Sequence, residues 1–146
     1  MTTPRRRYAE GTTVTVGSSR GEISAILENH GVAKQGWMTG PNGDQLMFEM
    51  DGHSFRFDII KPTMVEIRQM YPNAYEPQKK LDAEWRRRWR ANVLLLKAKL
   101  EFIESGDTTM DRELLPYMLT NDGKTVAELI ATGGLPLLTT GKESPR

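Results

Sequence analysis

Histidine is the first side chain to test for chemistry, because its imidazole titrates near neutral pH and binds metals. The chain has two, His30 and His53. Neither has a second histidine or a glutamate at the spacing that would place two ligands on one helical turn, and Asp51 is too near His53 for a chelate. Asp44, Asp51 and Asp58 offer carboxylates, yet two of them stand where turns favour aspartate for backbone reasons. Gly17-Ser18-Ser19-Arg20-Gly21 resembles a fragment of a hydrolase elbow, but it falls where a starting helix needs a capping serine. Gly36, Gly40 and Gly43 make no phosphate loop, since no Lys-Ser/Thr pair follows them and no helix starts there. The absence of cysteine excludes disulfides, thiolate metal sites and thiol nucleophiles. The expectation is a protein with no catalytic residues, no metal and no cofactor.

Charge recognition is the chemistry the residues favour. From Lys79 to Lys99 eight basic side chains stand against Asp82 and Glu84, a local net of +6 in a chain of net +1, so the remainder carries −5. Arg86, Arg87, Arg90 and Lys97, with Lys79 ahead of them, would follow a phosphate backbone by salt-dependent, sequence-tolerant attraction. Arg56 and Trp37 would extend that surface from a neighbouring hairpin. The expected function is binding of single-stranded DNA or RNA without sequence preference. The alternative is a protein-interaction module that self-assembles or seizes a host protein, with the basic flank a solvated helix face.

These side chains need elements to hold them. Thr12-Thr13-Val14-Thr15-Val16 alternates β-branched residues and reads as a first strand. Ser19 and Glu22 read as a capping box for a helix whose Ile23, Ile26, Leu27 and His30 share a face and which Gly31 ends. His30 would there interact as a cation with the last carbonyls of the helix. Trp37 to Ile60 reads as a hairpin or meander turning at Gly40-Pro41-Asn42-Gly43 and at Asp51-Gly52. Folding on Asp51-Gly52 pairs Met50 with His53, Phe48 with Phe55 and Leu46 with Phe57 on one face, and a one-residue slip would mix that face with polar residues. The first helix is expected to cover it.

After a connector with a helical turn near Val65 to Arg68, Pro77 opens a helix that meets no further Pro or Gly until Gly106. Trp85, Trp89, Val93, Leu96, Leu100 and Ile103 form one apolar stripe along it, with Lys79, Arg86, Arg90 and Lys97 about 90° around the helix. The tryptophans are in phase with the stripe, so they are read as core and not as base-stacking platforms. That stripe is expected to exceed what the first helix and a hairpin can cover, which predicts a homo-oligomer, most simply a dimer. Thr109 caps a short turn, and Thr125 with Glu128 forms a capping box for a last helix over Val126 to Ala131. The fold class is α+β: a small antiparallel sheet packed with one short helix and one long amphipathic helix, and a short C-terminal helix. Residues 1–10 and 132–146 are expected to be flexible tails on a single domain spanning 11–131.

Five stretches carry a resemblance. Arg88-Trp89-Arg90, Lys97-Ala98-Lys99-Leu100-Glu101, Ile103-Glu104-Ser105-Gly106 and Asp122-Gly123-Lys124-Thr125-Val126 resemble a family of uncharacterised proteins from tailed phages and prophages. The opening Tyr8-Ala9-Glu10-Gly11-Thr12, with Val14 and Val16, is similar to that family's N-terminus. The resemblance covers about two thirds of the chain; it implies a phage protein in the cytoplasm of an infected bacterium and supplies no site residues. Cytoplasm agrees with an N-terminus whose arginines are followed by no apolar stretch, unlike a secretory signal. The four-residue run Val93 to Leu96 is far short of the ~20 needed to span a bilayer, so no membrane is expected.

Overall fold

The computed structural model describes residues 5–133. Its elements are α1 (Val16–Asn29), β1 (Lys34–Gly40), β2 (Gly43–Met50), β3 (His53–Ile60), α2 (Met64–Met70), α3 (Pro77–Ser105), α4 (Met110–Leu114), a 3-10 turn (Leu115–Tyr117) and α5 (Val126–Ala131). The three strands form an antiparallel meander in the order β1-β2-β3, giving an α+β fold.

The strand register is the one the sequence dictates. Met50 pairs with His53, Phe48 with Phe55 and Leu46 with Phe57. Asp51 and Gly52 both take positive φ, 52° and 78°, which a type I′ turn demands of its two central residues. Gly43, at the other turn, has φ 133° and leaves no room for a side chain, since a Cβ there would lie 2.1 Å from the Ile59 carbonyl oxygen. The buried face is aromatic: Phe48 stacks on Phe55 at 5.2 Å, and Phe57 on Tyr117 at 3.8 Å.

Two elements cover that face, the first helix and the long one, as the expected packing of the sheet with a short and a long helix requires. Ile23 and Leu27 of α1 and Trp89, Val93, Leu96 and Leu100 of α3 join Leu46, Phe48, Phe55, Phe57 and Ile59 in one core. The α3 stripe is therefore satisfied within the chain, with Trp85 and Ile103 half-buried at its ends. The surplus that was to drive dimerisation does not exist on this face.

The N-terminal region departs from expectation. Thr12 to Val16 is not a strand, and α1 begins a turn earlier than Ser19: Thr15 is its N-cap, its Oγ accepting from the Ser18 N–H at 3.1 Å. Ser19 is inside the helix and fully buried. Thr15, Ser18 and Ser19 stand close enough together to offer alternative caps, and a β-branched tract becomes a strand only where a partner strand is free to pair. Ahead of the helix the chain is held by charge, Arg7 donating to Glu84 on α3 at 3.0 and 2.7 Å.

α3 starts on Pro77 and ends where Gly106 turns left-handed at φ 82°. α2 is longer than the single turn foreseen and buries Ile67. Thr109 caps α4, and Thr125 with Glu128 closes the full capping box of α5. The Leu119 N–H donates to the Ser54 carbonyl at 2.8 Å, tying this C-terminal part to the edge of β3. Beyond Gly133, the tail expected over 132–146 lies outside the described residues.

Candidate functional site on the long helix

At 1.5 Å per residue, the 29 residues of α3 extend ~44 Å. The helix presents three sides: the core stripe, the basic flank, and an outward side opposite the stripe.

The basic flank is laced to carboxylates from elsewhere in the chain. Arg90 donates to Glu22 of α1 at 2.6 Å and to the Ser19 hydroxyl at 3.4 Å. That hydrogen bond holds the Glu22 carboxyl below its ordinary range against the opposing effect of burial, and raises Arg90 in return. Arg86 donates to the Thr12 carbonyl at 3.3 Å. Lys79 pairs with Glu76 at 2.9 Å on an open surface. Lys97 is exposed, with no carboxylate at ion-pair distance among the described residues.

Arg87, one residue past Arg86 and about 100° around the helix, belongs to a different cluster. Its Nε donates to Glu84 at 2.8 Å. Glu84 is a buried carboxylate on which Arg7, Arg87 and Arg88 converge, the last at 3.5 Å. Burial pushes this carboxyl up, but the hydrogen bonds from Arg7 and Arg87 outweigh it, so it sits below the usual carboxylate range. Arg88 also reaches Glu66 of α2 at 2.7 Å.

The two residues expected to extend the surface are not on it. Arg56 lies on the sheet face turned away from α3, among Asp58, Glu128 and the Gly123 carbonyl. Trp37 packs against Trp89 at 5.4 Å, and the Arg20 guanidinium lies over both rings. The structure thus gathers Arg86, Arg90 and Lys97, with Lys79 further along, and separates Arg87, Arg56 and Trp37. Sequence reading missed Glu84 and Glu22 as partners. Only their own charge signalled them, because the pairs join residues 77 and 68 apart in sequence.

The other candidates resolve differently. Gly17-Ser18-Ser19-Arg20-Gly21 does meet the Gly-x-Ser-x-Gly spacing, yet Ser19 is enclosed between α1 and Arg90, without the exposure a nucleophile needs. His30 faces Glu104 at 2.6 Å and Glu101 at 3.5 Å on α3, so carboxylates and not helix-end carbonyls receive it. It borders a cleft of about 590 Å³ floored by Leu100 and Ile103 and rimmed by Glu49 and Asp51. Among the described residues no three His, Cys, Asp or Glu side chains are grouped to hold a metal ion. No described helix is long and apolar enough to cross a membrane.

The outward side of α3 is apolar too. Leu94, Leu95 and Phe102 are 46%, 39% and 56% exposed there, with Ala91 and Ala98 between them. Leu94, Leu95 and Phe102 were not read from the sequence as a surface, because the pattern of a buried stripe accounts for the inward face alone. No protein-family model, curated protein or solved structure matches the chain.

Proposed function

We propose that this protein works as a protein-interaction module that docks a partner along the outward side of α3. The observation that carries this reading is the exposure of Leu94, Leu95 and Phe102 on a helix whose opposite face already supplies the core. Apolar side chains gathered in water favour a partner that removes them from it. Of the arginines once assigned to phosphate, Arg90 holds Glu22 and Arg87 holds Glu84, which lowers the positive potential they present. The setting proposed is the cytoplasm of a phage-infected bacterium, supported by the family resemblance.

Nucleic-acid binding is the second reading, favoured by Lys97, which has no ion-pair partner among the described residues, beside Arg86 and Arg90. Each phosphate held on a single strand would steepen the dependence of log K on log salt by ~0.7, so three contacts give a slope of about −2.

Photocrosslinking separates the two. A benzophenone side chain at Ala98, in bacteria making the protein, should give discrete protein adducts that Leu94→Asp with Phe102→Asp abolishes. A labelled single strand should show no binding by fluorescence anisotropy at about 100 mM salt. Absence of adducts that depend on the ridge of Leu94, Leu95 and Phe102, together with strand binding that Arg86→Glu with Lys97→Glu removes, would replace the first reading with the second.

A further inference from the structure

We infer that the partner docked on α3 is a second copy of this chain, packed antiparallel about a two-fold axis near Ala98; the inference rests on the protein-docking reading above. Ala91, Ala98 and Ser105 recur at a seven-residue step on the outward side, and Leu95 and Phe102 recur at the same step. A seven-residue repeat keeps one seam facing a partner helix, and small residues in that seam let two backbones approach closely.

Charge selects the partner and its direction. Lys97 and Glu101 flank the seam on one side; both are exposed and do not pair with each other along the helix, and Glu101 stays largely open although the His30 ring lies 3.5 Å from one of its oxygens. A two-fold axis crossing α3 sets this flank against the same flank of the other copy in reverse order. Lys97 of each copy then stands beside Glu101 of its partner, so one surface supplies both halves of two ion pairs. Parallel packing would instead bring Lys97 to the opposite flank, where Arg88 and Lys99 are basic and already hold Glu66 and Glu113. Antiparallel helices also oppose their dipoles. From Ala91 to Ser105 the seam runs ~21 Å, which makes an interface at the small end of the specific range, ~1,000 Å², suited to reversible association.

Sedimentation of the purified full chain should show the mass rising from one chain to two between about 1 and 200 µM, as expected of a small interface. Leu94→Asp with Phe102→Asp should hold it at one chain while leaving the circular dichroism spectrum and melting temperature unchanged. Lys97→Glu should weaken the dimer about fivefold, as two exposed ion pairs imply, and adding Glu101→Lys should restore it. Because the chain has no cysteine of its own, introduced ones report direction. Ala98→Cys should oxidise to a disulfide dimer, and Leu94→Cys should cross-link to Phe102→Cys but not to itself. A self-linked Leu94→Cys dimer would overturn the antiparallel arrangement. A monomer at every concentration would overturn the inference. If ridge-dependent adducts of other masses persist in cells, the docking reading survives with a different protein. If deletion of residues 134–146 turns a monomer into a dimer, the occupant is the chain's own C-terminal segment. Loss of all ridge-dependent adducts would remove both readings.

Discussion

On its inward side α3 carries Trp89, Val93, Leu96 and Leu100, none more than 3% exposed, whereas Leu94, Leu95 and Phe102 on its outward side stand largely in water. Leucine is common to both sides, so residue type does not separate them. What separates them is the surface opposite: the aromatic face of the sheet and the Ile23-Leu27 side of α1 within, solvent without. An apolar side chain gains stability only when another surface removes it from water, and one side of α3 finds that surface inside its own chain. The same asymmetry divides the charges. Glu84 and its arginines are locked into the fold, while Lys97 and most of the Glu101 side chain are left to the outside.

The sharpest break in that comparison is in stability. Trp89→Ala or Phe55→Ala should cost ~3–5 kcal/mol through lost burial and a residual cavity, whereas Phe102→Ala should fall within ~0.5 kcal/mol of the parent at dilute concentration. Urea titration followed by tryptophan fluorescence measures the difference, and equal losses on the two sides would erase the distinction between them.

A smaller effect follows from Glu84. Its folded carboxyl titrates below the ordinary value of 4.5, so the stability it contributes is present above that value and is lost as pH falls through the lower folded one. Glu84→Gln should cost ~2 kcal/mol at neutral pH, less than a wholly buried pair because its arginines can rehydrate. It should also flatten the decline in stability on the acid side of about pH 4.5. A mutant whose acid limb matches the parent's would assign that decline to other carboxylates.

The smallest effect belongs to the flank. Glu22 is exposed enough that its pair with Arg90 is screened, so Glu22→Gln should cost only ~0.5 kcal/mol. Chemical denaturation in low and high salt would show the loss vanishing as salt rises.

The sheet and α3 were legible for different reasons. Between Leu46 and Phe57 the alternation of apolar and polar residues has a period of two, and Asp51-Gly52 fixes the fold-back point, so neighbours in sequence set the register. In α3 the spacing of Trp89, Val93, Leu96 and Leu100 did the same at the helical period. Thr12 to Val16 was misread because strand formation needs a pairing partner from elsewhere, while the helix cap at Thr15 needs only the Ser18 amide nearby. Arg56 and Trp37 were legible as hairpin residues but not by what covers them. Gly123 and Glu128 engage Arg56, and Trp89 with Arg20 encloses Trp37.

By itself the sequence determined what its own periodicities encode: the α+β class, the hairpin register, the extent of α3 and its buried stripe. Only the tertiary structure decided which charges are spent and which apolar side is spare. Glu84 meets Arg7 across 77 residues and Glu22 meets Arg90 across 68, and such pairings are set by how the elements pack, not by any local pattern. A count of +6 along α3 is a property of the chain; the potential it presents depends on the carboxylates that folding brings to it.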